Sequence, residues 1–263
     1  SYRTPTLYAA WSEQGLNGLS QQFHRHLTSK VMDQRVRGKP RPVHYNTWEA
    51  LYFDHSEEKL FALAEKAARL GVERFVLDDG WFATRRNDRA GLGDWWVSSD
   101  VYPNGLGPLV KHVRQLGMQF GLWFEPEMVN PDSELFRSHP SWILEAPGLE
   151  QVPSRNQFVL NLSLAEVAQY LFEKISALVS EYHIDYIKWD MNRDVHHPSS
   201  GGRAAIHRQT KAVYALMDRL RSTHRELEIE SCSSGGGRCD YGVLSRTDRL
   251  WTSDSNDALE RQR

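Results

Sequence analysis

The sequence predicts an α/β fold of the (β/α)8 barrel type, of which the 263 residues supply about six of the eight β/α units. Six short apolar segments alternate with helical patterns, which is the order of parallel βαβ units. Polar or acidic residues follow every one of these segments, whereas a doubly wound open sheet collects its functional residues at one switch point. We therefore favour an incomplete barrel and expect its seventh and eighth strands beyond residue 263.

The predicted elements follow one another at short intervals. Ser56 is a suitable N-cap for the first barrel helix, whose leucines and alanines recur at helical spacing, and Gly71 ends that helix. Gly117 ends a second, shorter helix in the same way. The predicted strands are 43–46, 74–77, 119–124, 184–189, 227–230 and 249–251, and the predicted helices are 56–70, 108–116, 164–182 and 204–223.

Residues 1–42 differ in character from the rest of the chain. They contain short apolar pieces, a predicted turn at Gly15 and Gly18, and a basic linker that ends in two prolines, Pro40 and Pro42. Prolines at this spacing indicate an extended boundary. We therefore predict a domain boundary between residues 42 and 43.

Composition excludes several classes of partner. Lys+Arg 32 against Asp+Glu 34 gives a net charge of −2, so we expect no nucleic-acid partner. No segment approaches the roughly 18 apolar residues of a membrane-spanning helix, so we expect no membrane partner. Cys232 and Cys239 are the two cysteines and cannot build a disulfide framework. This suits a reducing compartment, and we expect a cytoplasmic protein.

Carboxylates follow five of the predicted strands. Any one of them could simply cap a helix, but five converging on one barrel face suit either a divalent metal site or glycoside hydrolysis. The candidate metal-ligating histidines are poorly placed, because His44 is near a strand start and the His196–His197 pair is in a loop. Tryptophans near the strand ends favour a sugar ligand; they are Trp48, Trp81, Trp95, Trp96, Trp123, Trp189 and Trp251.

The tripeptide Lys188-Trp189-Asp190 closes the fourth predicted strand. Because side chains alternate along a strand, Lys188 and Asp190 share one face and Trp189 points to the other. A lysine beside a carboxylate keeps that carboxylate ionised, which a nucleophile requires. The pattern therefore indicates either an activated Asp190 or a plain salt bridge at the barrel rim.

Six motifs, in this order, resemble those of the bacterial and fungal α-galactosidases of glycoside hydrolase family thirty-six, in clan D. The resemblance covers essentially the whole chain. The motifs are Asp-Asp-Gly-Trp-Phe at 78–82, Gly-Leu-Trp-Phe-Glu-Pro-Glu-Met at 121–128, Arg-Asn at 155–156, Lys-Trp-Asp-Met-Asn-Arg at 188–193, Cys-Ser-Ser-Gly-Gly-Gly-Arg at 232–238 and Trp-Thr-Ser-Asp at 251–254.

The resemblance implies the roles of individual residues. It makes Asp190 the nucleophile and Asp254 the general acid/base, with their carboxyl groups roughly 5–5.5 Å apart. It implies that residues 1–42 are the end of an N-terminal β-sandwich domain with its linker, and that residues 43–263 belong to the catalytic barrel. The implied galactose-binding residues are Asp78 and Asp79 at O4 and O6, Trp123 and Arg155 at the pocket wall, Lys188 at the ring hydroxyls, and Asn192, Cys232 and Gly235 near the 2-hydroxyl.

The function that the resemblance implies is that of a retaining exo-α-galactosidase. Its substrates would be α-galactoside oligosaccharides of the melibiose and raffinose type, and it would need no metal or organic cofactor. We also expect the full-length protein to be a homo-oligomer. Two alternatives stay open: an α-galactosyl transferase resembling raffinose synthase, and a non-catalytic galactose-binding barrel.

Overall fold

Six parallel strands form the central sheet of the computed structural model, which describes residues 4–36 and 38–262. Each strand pairs with the next one along the chain, so spatial order equals chain order. A doubly wound sheet would reverse its order, so this arrangement is that of a barrel. The strands are β1 (His44–Asn46), β2 (Arg74–Leu77), β3 (Gln119–Phe124), β4 (Tyr186–Trp189), β5 (Glu228–Ser231) and β6 (Arg249–Leu250).

The sheet is curled. The ring of His44 on β1 stacks on the ring of Trp251, which follows β6, with centroids 6.1 Å apart. These two strands occupy opposite ends of the strand order, so a flat sheet would hold the two rings far apart. The predicted fold class, an incomplete barrel of six β/α units, is confirmed.

Within the described residues, five helices of nine or more residues accompany the strands. They are α1 (Gly15–His26), α2 (Glu57–Arg69), α3 (Gly107–Gln115), α4 (Ala165–Tyr182) and α5 (Ile206–Thr223). Shorter helical segments are Leu27–Val31, Gln34–Val36, Trp48–Leu51, Glu134–Ser138, Pro140–Trp142, Tyr241–Leu244 and Glu260–Gln262. Two small antiparallel pairs lie in loops: Met128–Val129 with Phe158–Val159, and Ser199–Ser200 with Arg203–Ala204.

The predicted barrel elements are confirmed with small shifts at their ends. Ser56 caps α2 as expected, because its hydroxyl accepts a hydrogen bond from the backbone N–H of Lys59 at 3.3 Å. The last predicted helix starts two residues later than expected, at Ile206, because Arg203–Ala204 pairs in a hairpin. Helices α2 to α5 turn their apolar residues toward the sheet, so the core lies between the two layers.

The N-terminal segment differs from the prediction. Gly15 and Gly18 were expected in a turn, but Gly15 begins α1 and Gly18 lies within it. A Cβ at position 18 would lie 2.5 Å from the Ser12 hydroxyl, so the chain entering α1 packs directly on this glycine. The interpretation of residues 1–42 as the end of a β-sandwich domain stays a prediction, and residues 1–3 and 37 lie outside the described part of the chain.

Candidate active site

The carboxyl ends of the parallel strands meet at one face of the sheet. β1 ends in Asn46, and an acidic residue or a cysteine follows each of the next four strands directly: Asp78, Glu125, Asp190 and Cys232. Parallel register, with Trp123 beside Lys188 and Leu77 beside Leu122, keeps these ends level with one another. The face therefore gathers groups that are far apart in the sequence.

Asp190 is a buried carboxylate held by neutral donors. Its Oδ2 atom accepts hydrogen bonds from the Trp123 indole at 3.1 Å and from the Asn192 side-chain amide at 2.7 Å. Its Oδ1 atom accepts the backbone N–H of Met191 at 2.9 Å. No basic side chain among the described residues lies within salt-bridge distance of it. These three N–H groups orient the carboxylate without neutralising its charge.

Lys188 pairs with Asp78, so the expected direct pairing of Lys188 with Asp190 is wrong. Lys188 Nζ lies 2.9 Å from Asp78 Oδ2, and both side chains are buried. The long lysine side chain reaches from β4 past β3 to the end of β2, which strand alternation alone does not reveal. Burial would lower the pKa of Lys188, but Asp78, with a smaller contribution from Asp190, raises it above the usual value. The ion pair with Asp78 therefore favours the charged form of Lys188.

Asp79 forms a second buried ion pair. Its carboxylate accepts hydrogen bonds from two nitrogens of Arg85, Nε at 2.9 Å and Nη2 at 2.8 Å. Burial raises the pKa of Asp79, and the Arg85 guanidinium opposes that shift. Arg85 also donates to the side chain of Asn130 at 3.0 Å, which fixes it to the loop after β3. The predicted Asp78–Asp79 pair is thus two carboxylates with two different cations.

Glu125 was among the strand-end acids but had no predicted role. The structure buries it beside Asp190, where Oε1 accepts the backbone N–H of Asn192 at 2.6 Å and Oε2 accepts the amide of Gln157 at 2.9 Å. Burial raises the pKa of Glu125 far above its usual range, and the charge of Asp190 raises it further. Glu127, by contrast, pairs with Arg238 at 2.7 Å.

The loop after β5 closes over Asn192. The side-chain oxygen of Asn192 accepts from the backbone N–H of Ser234 at 3.2 Å and from its hydroxyl at 3.1 Å. Cys232 is buried, and burial raises the pKa of its thiol, so it is a compact wall residue with no thiolate character. Gly235 has φ +88°, and a Cβ there would lie 3.2 Å from Ser253 Cα. The predicted residues Asn192, Cys232 and Gly235 therefore lie together.

Asp254 and Arg155 are more exposed than the other predicted residues. Asp254 Oδ1 accepts the indole N–H of Trp251 at 2.7 Å, and its backbone nitrogen would lie 3.5 Å from a Cβ at Gly235. Arg155 lies exposed in a loop with φ +54°. The backbone oxygen of the next residue, Asn156, accepts from Asn130 at 2.8 Å, which ties this loop to the Arg85 network.

Most of the tryptophans near the strand ends are core residues. Trp81, Trp95 and Trp189 are almost completely buried, and the rings of Trp81 and Trp95 stack on each other with centroids 6.1 Å apart. Trp123 is also buried, but its indole N–H reaches the Asp190 carboxylate. The high tryptophan content therefore reflects packing more than sugar contacts. Trp251, whose ring lies 4.5 Å from Lys188 Nζ, is at the site.

Sequence reasoning missed Arg85, Gln157 and Asn46. Asn46 could have been found, because it is the last residue of a predicted strand and donates to Asp78 at 2.5 Å. Arg85 and Gln157 lie in long loops, where no periodicity indicates which residues turn inward. His197, one of the two loop histidines, is buried against the Glu150 carbonyl at 3.0 Å.

The described ranges, 4–36 and 38–262, contain no group of three or more His, Cys, Asp or Glu side chains that is placed to hold a metal ion. His44, which was also considered as a ligand, is partly buried, and this burial lowers its pKa to about 3. Over the same ranges no helix is long and apolar enough to cross a bilayer.

Comparison with known proteins identifies the family. The sequence model of the Melibiase family matches residues 1–263. An α-galactosidase from Escherichia coli is 53% identical over 258 residues, which are 98% of this chain and 36% of that enzyme. The crystal structure of the GH36 α-galactosidase AgaA from Geobacillus stearothermophilus has a TM-score of 0.91 at 45% identity, covering 95% of this chain and 36% of that one.

A variant of AgaA in complex with raffinose gives a TM-score of 0.90 at 44% identity, again over 95% of this chain and 36% of that one. The chain thus spans 36% of the length of each of these relatives. The match runs through every strand end described above, and its family model covers all 263 residues. The chain therefore belongs to the Melibiase family, of the glycoside hydrolase family 36 type.

Proposed function

We propose that the full-length enzyme is a retaining exo-α-galactosidase that hydrolyses terminal α-D-galactosyl residues of melibiose- and raffinose-type oligosaccharides. The observation that carries the proposal is Asp190, a buried carboxylate with three N–H donors and no cation within salt-bridge distance among the described residues. These three donors hold the carboxylate in one orientation, which suits attack on an anomeric carbon. The activity named for the relatives, and the raffinose bound to AgaA, support the same reaction.

The mechanism has two displacements. Asp190 attacks the anomeric carbon while Asp254 gives its proton to the leaving oxygen, and a β-galactosyl ester forms on Asp190. Asp254, now ionised, takes a proton from water, which attacks the same carbon and releases galactose with its original configuration. The Trp251 indole orients the carboxyl group of Asp254, because it donates to Oδ1 at 2.7 Å. In a galactose complex we expect the two carboxyl groups roughly 5–5.5 Å apart.

Galactose recognition rests on the two ion-paired carboxylates. Asp78 and Asp79 would accept from O4 and O6, and Lys188 would donate to the ring hydroxyls. Because both carboxylates are buried, a sugar whose 4-hydroxyl points elsewhere leaves one of them without its partner, and such losses are costly. Trp123, Arg155, Asn192, Cys232 and Gly235 would complete the pocket. The reaction needs no metal or organic cofactor.

The remaining expectations are part of this proposal. We propose a clan D enzyme, cytoplasmic and homo-oligomeric, in which residues 1–42 join a β-sandwich domain to the barrel. The buried, protonated thiol of Cys232 is compatible with a reducing compartment. Exposed Trp11 and Leu16 in the N-terminal segment offer apolar surface for a subunit or domain contact. The mass of the full-length enzyme by light scattering tests the oligomer.

The experiment that tests the function uses Asp190→Asn and Asp254→Ala in the full-length enzyme. We expect Asp190→Asn to lose more than about nine-tenths of kcat, equivalent to at least ~1.4 kcal/mol of barrier, while galactose still binds. A smaller loss would overturn the nucleophile assignment.

Asp254→Ala should keep the first step on aryl galactosides with good leaving groups, and azide should restore turnover as α-galactosyl azide. A β-azide, or no rescue, would contradict the acid/base role. Product analysis with excess sucrose distinguishes hydrolysis from transfer to a sugar acceptor.

A further inference from the structure

Five carboxyl groups of the site are buried, but only three of them form an ion pair with a cation among the described residues. Each of three cations contacts a carboxylate of its own: Lys188 with Asp78 at 2.9 Å, Arg85 with Asp79 at 2.8 Å and Arg238 with Glu127 at 2.7 Å. Two further buried carboxyl groups, Glu125 and Asp190, contact neutral donors only, among the residues that the structure describes. The pair therefore has no counter-charge of its own.

Two adjacent buried carboxyl groups without a cation share a proton near neutral pH, because the second ionisation must overcome both burial and repulsion. The donors decide which group carries it. Asp190 receives three N–H groups, whereas Glu125 receives two, from Asn192 and Gln157. Hydrogen bonds to a carboxylate favour its ionised form, so the proton belongs on Glu125.

The surroundings of Glu125 agree with that assignment. The charges of Asp190, which follows β4, and Asp79 in the loop after β2 raise the pKa of Glu125, and the backbone N–H of Asn192 and the Arg85 guanidinium oppose that rise. Burial is the largest cause of the rise in the pKa of Glu125. The amide oxygen of Gln157 has no hydrogen-bond partner among the described residues. Turning that amide by half a rotation brings its oxygen to Oε2, where it accepts the Glu125 proton.

Glu125 reaches the nucleophile through Asn192. Its Oε1 atom holds the backbone N–H of Asn192, whose side chain donates to Asp190 and accepts from Ser234. We propose that Glu125, as a neutral acid, is the positioning residue that fixes Asn192 and thereby orients the Asp190 carboxylate without adding a second negative charge. The inference rests on the proposed function, in which Asp190 is the nucleophile.

Two uncharged substitutions of Glu125 distinguish the effect of its hydrogen bond to Asn192 from the effect of its charge. Glu125→Gln keeps an oxygen for the Asn192 N–H, so kcat of the full-length enzyme should fall by less than about threefold. Glu125→Leu removes that acceptor at similar volume and leaves a buried N–H unpaired, so kcat should fall about 10–100-fold with little change in KM. Glu166→Gln, at an exposed position on α4, is the matched control and should behave as wild type.

The pH profile and the infrared spectrum report the proton directly. If Glu125 is neutral, the acid limb of kcat/KM is the same in Glu125→Gln as in wild type, and a protonated-carboxyl band present at pH 7 disappears in Glu125→Gln. If Glu125 is ionised, that band is absent and the acid limb of Glu125→Gln moves to lower pH, because a negative charge beside Asp190 has been removed. Either result overturns the inference, as does a Glu125→Leu enzyme with wild-type kcat.

The infrared band needs no turnover, so it also separates this inference from the proposed function. An inactive wild-type enzyme with a band that is lost in Glu125→Gln refutes the function and retains the neutral Glu125. An active enzyme without the band refutes the inference alone. Should Glu125→Leu fail to fold, the band and the acid limb of Glu125→Gln still decide the matter.

Discussion

Replacing Asp78 by asparagine disturbs more than one charge, because every oxygen of this carboxylate faces a donor. Oδ2 accepts from Lys188 at 2.9 Å and from the Asn46 amide at 2.5 Å, and Oδ1 accepts the backbone N–H of Asp79 at 2.9 Å. An asparagine amide has to place its NH2 group against one set of donors, whichever way it turns. In addition, Lys188 loses the carboxylate that keeps it charged inside the protein.

The expected cost follows from that geometry. Removing one partner of a buried ion pair destabilises a protein by about 3–5 kcal/mol, which is at least a hundredfold change in the folded-to-unfolded ratio. Lys188→Met in the same chain should recover part of it, because the double variant contains no unpaired buried cation. We expect the double variant to be more stable than the sum of the single changes predicts, by at least about 1 kcal/mol.

Denaturant unfolding of the full-length wild type, the two single variants and the double variant measures the four free energies of unfolding. Calorimetric titration with galactose measures binding. Asp54→Asn is the matched control: Asp54 also pairs with a lysine, Lys59, but on the surface, and such pairs contribute less than about 1 kcal/mol. A loss in Asp78→Asn no larger than in this control, or strict additivity with Lys188→Met, would refute the reasoning.

Three further outcomes are expected. Burial lowers the pKa of His55 from 6.5 to about 4. His55 therefore binds a proton more readily in the unfolded chain than in the folded one, and the stability present above pH 6.5 is lost as the pH falls toward 4. Wild type should lose up to ~2 kcal/mol more than His55→Gln between pH 6.5 and 5, and equal losses in urea titrations would contradict this. Gly121→Ala should lower the free energy of unfolding by about 1–3 kcal/mol, because the new Cβ would lie 3.0 Å from Val76 and Tyr186. Gly107→Ala, which has open space around it, should leave stability unchanged, and the unfolding midpoints of the two variants test this difference. Expressed alone, residues 1–263 should show no cooperative thermal transition and no hydrolysis of aryl galactosides, because β1 and β6 each pair with one strand only in the described sheet. A cooperative, active fragment would show that the unpaired edges of β1 and β6 are tolerated.

The barrel could be predicted from the sequence because its four inner strands, β2 to β5, are short and mostly buried runs bounded by glycine or polar residues. All four residues of β2 are buried, including Arg74, whose guanidinium bonds to Gln119 and Glu228. The helix α1 could not be read, since its only buried residue is a glycine and glycines normally indicate a turn. Local patterns thus predict elements with an apolar face and miss those without one.

The sequence indicated several residues of the candidate site, but it did not indicate which of them contact each other. Strand ends and the family resemblance led to Asp190, Asp78 and Asp79. The partner of Lys188 was missed because it lies 110 residues away, and only the register of three strands brings the two together. The same holds for Glu125, whose donor Asn192 lies 67 residues further along the chain. Contacts of this kind depend on tertiary geometry, which spacing in the sequence does not contain.

The loop between β2 and α3 is anchored at several points to neighbouring segments. Asp94 accepts the backbone N–H groups of Glu134 and Leu135, both at 2.9 Å, and the Tyr170 hydroxyl donates to the Gly93 carbonyl at 2.8 Å. This loop carries Arg85, and therefore the orientation of Asp79, before any ligand arrives. A sugar entering such a site does not have to freeze a mobile wall, which otherwise costs about 0.5–1.5 kcal/mol for each side chain immobilised. More of its interaction energy then remains for affinity. Under the proposed function, an enzyme with a loosened Asp94 anchor would therefore bind galactose more weakly, although the hydrogen bonds of Asp94 go to Glu134 and Leu135.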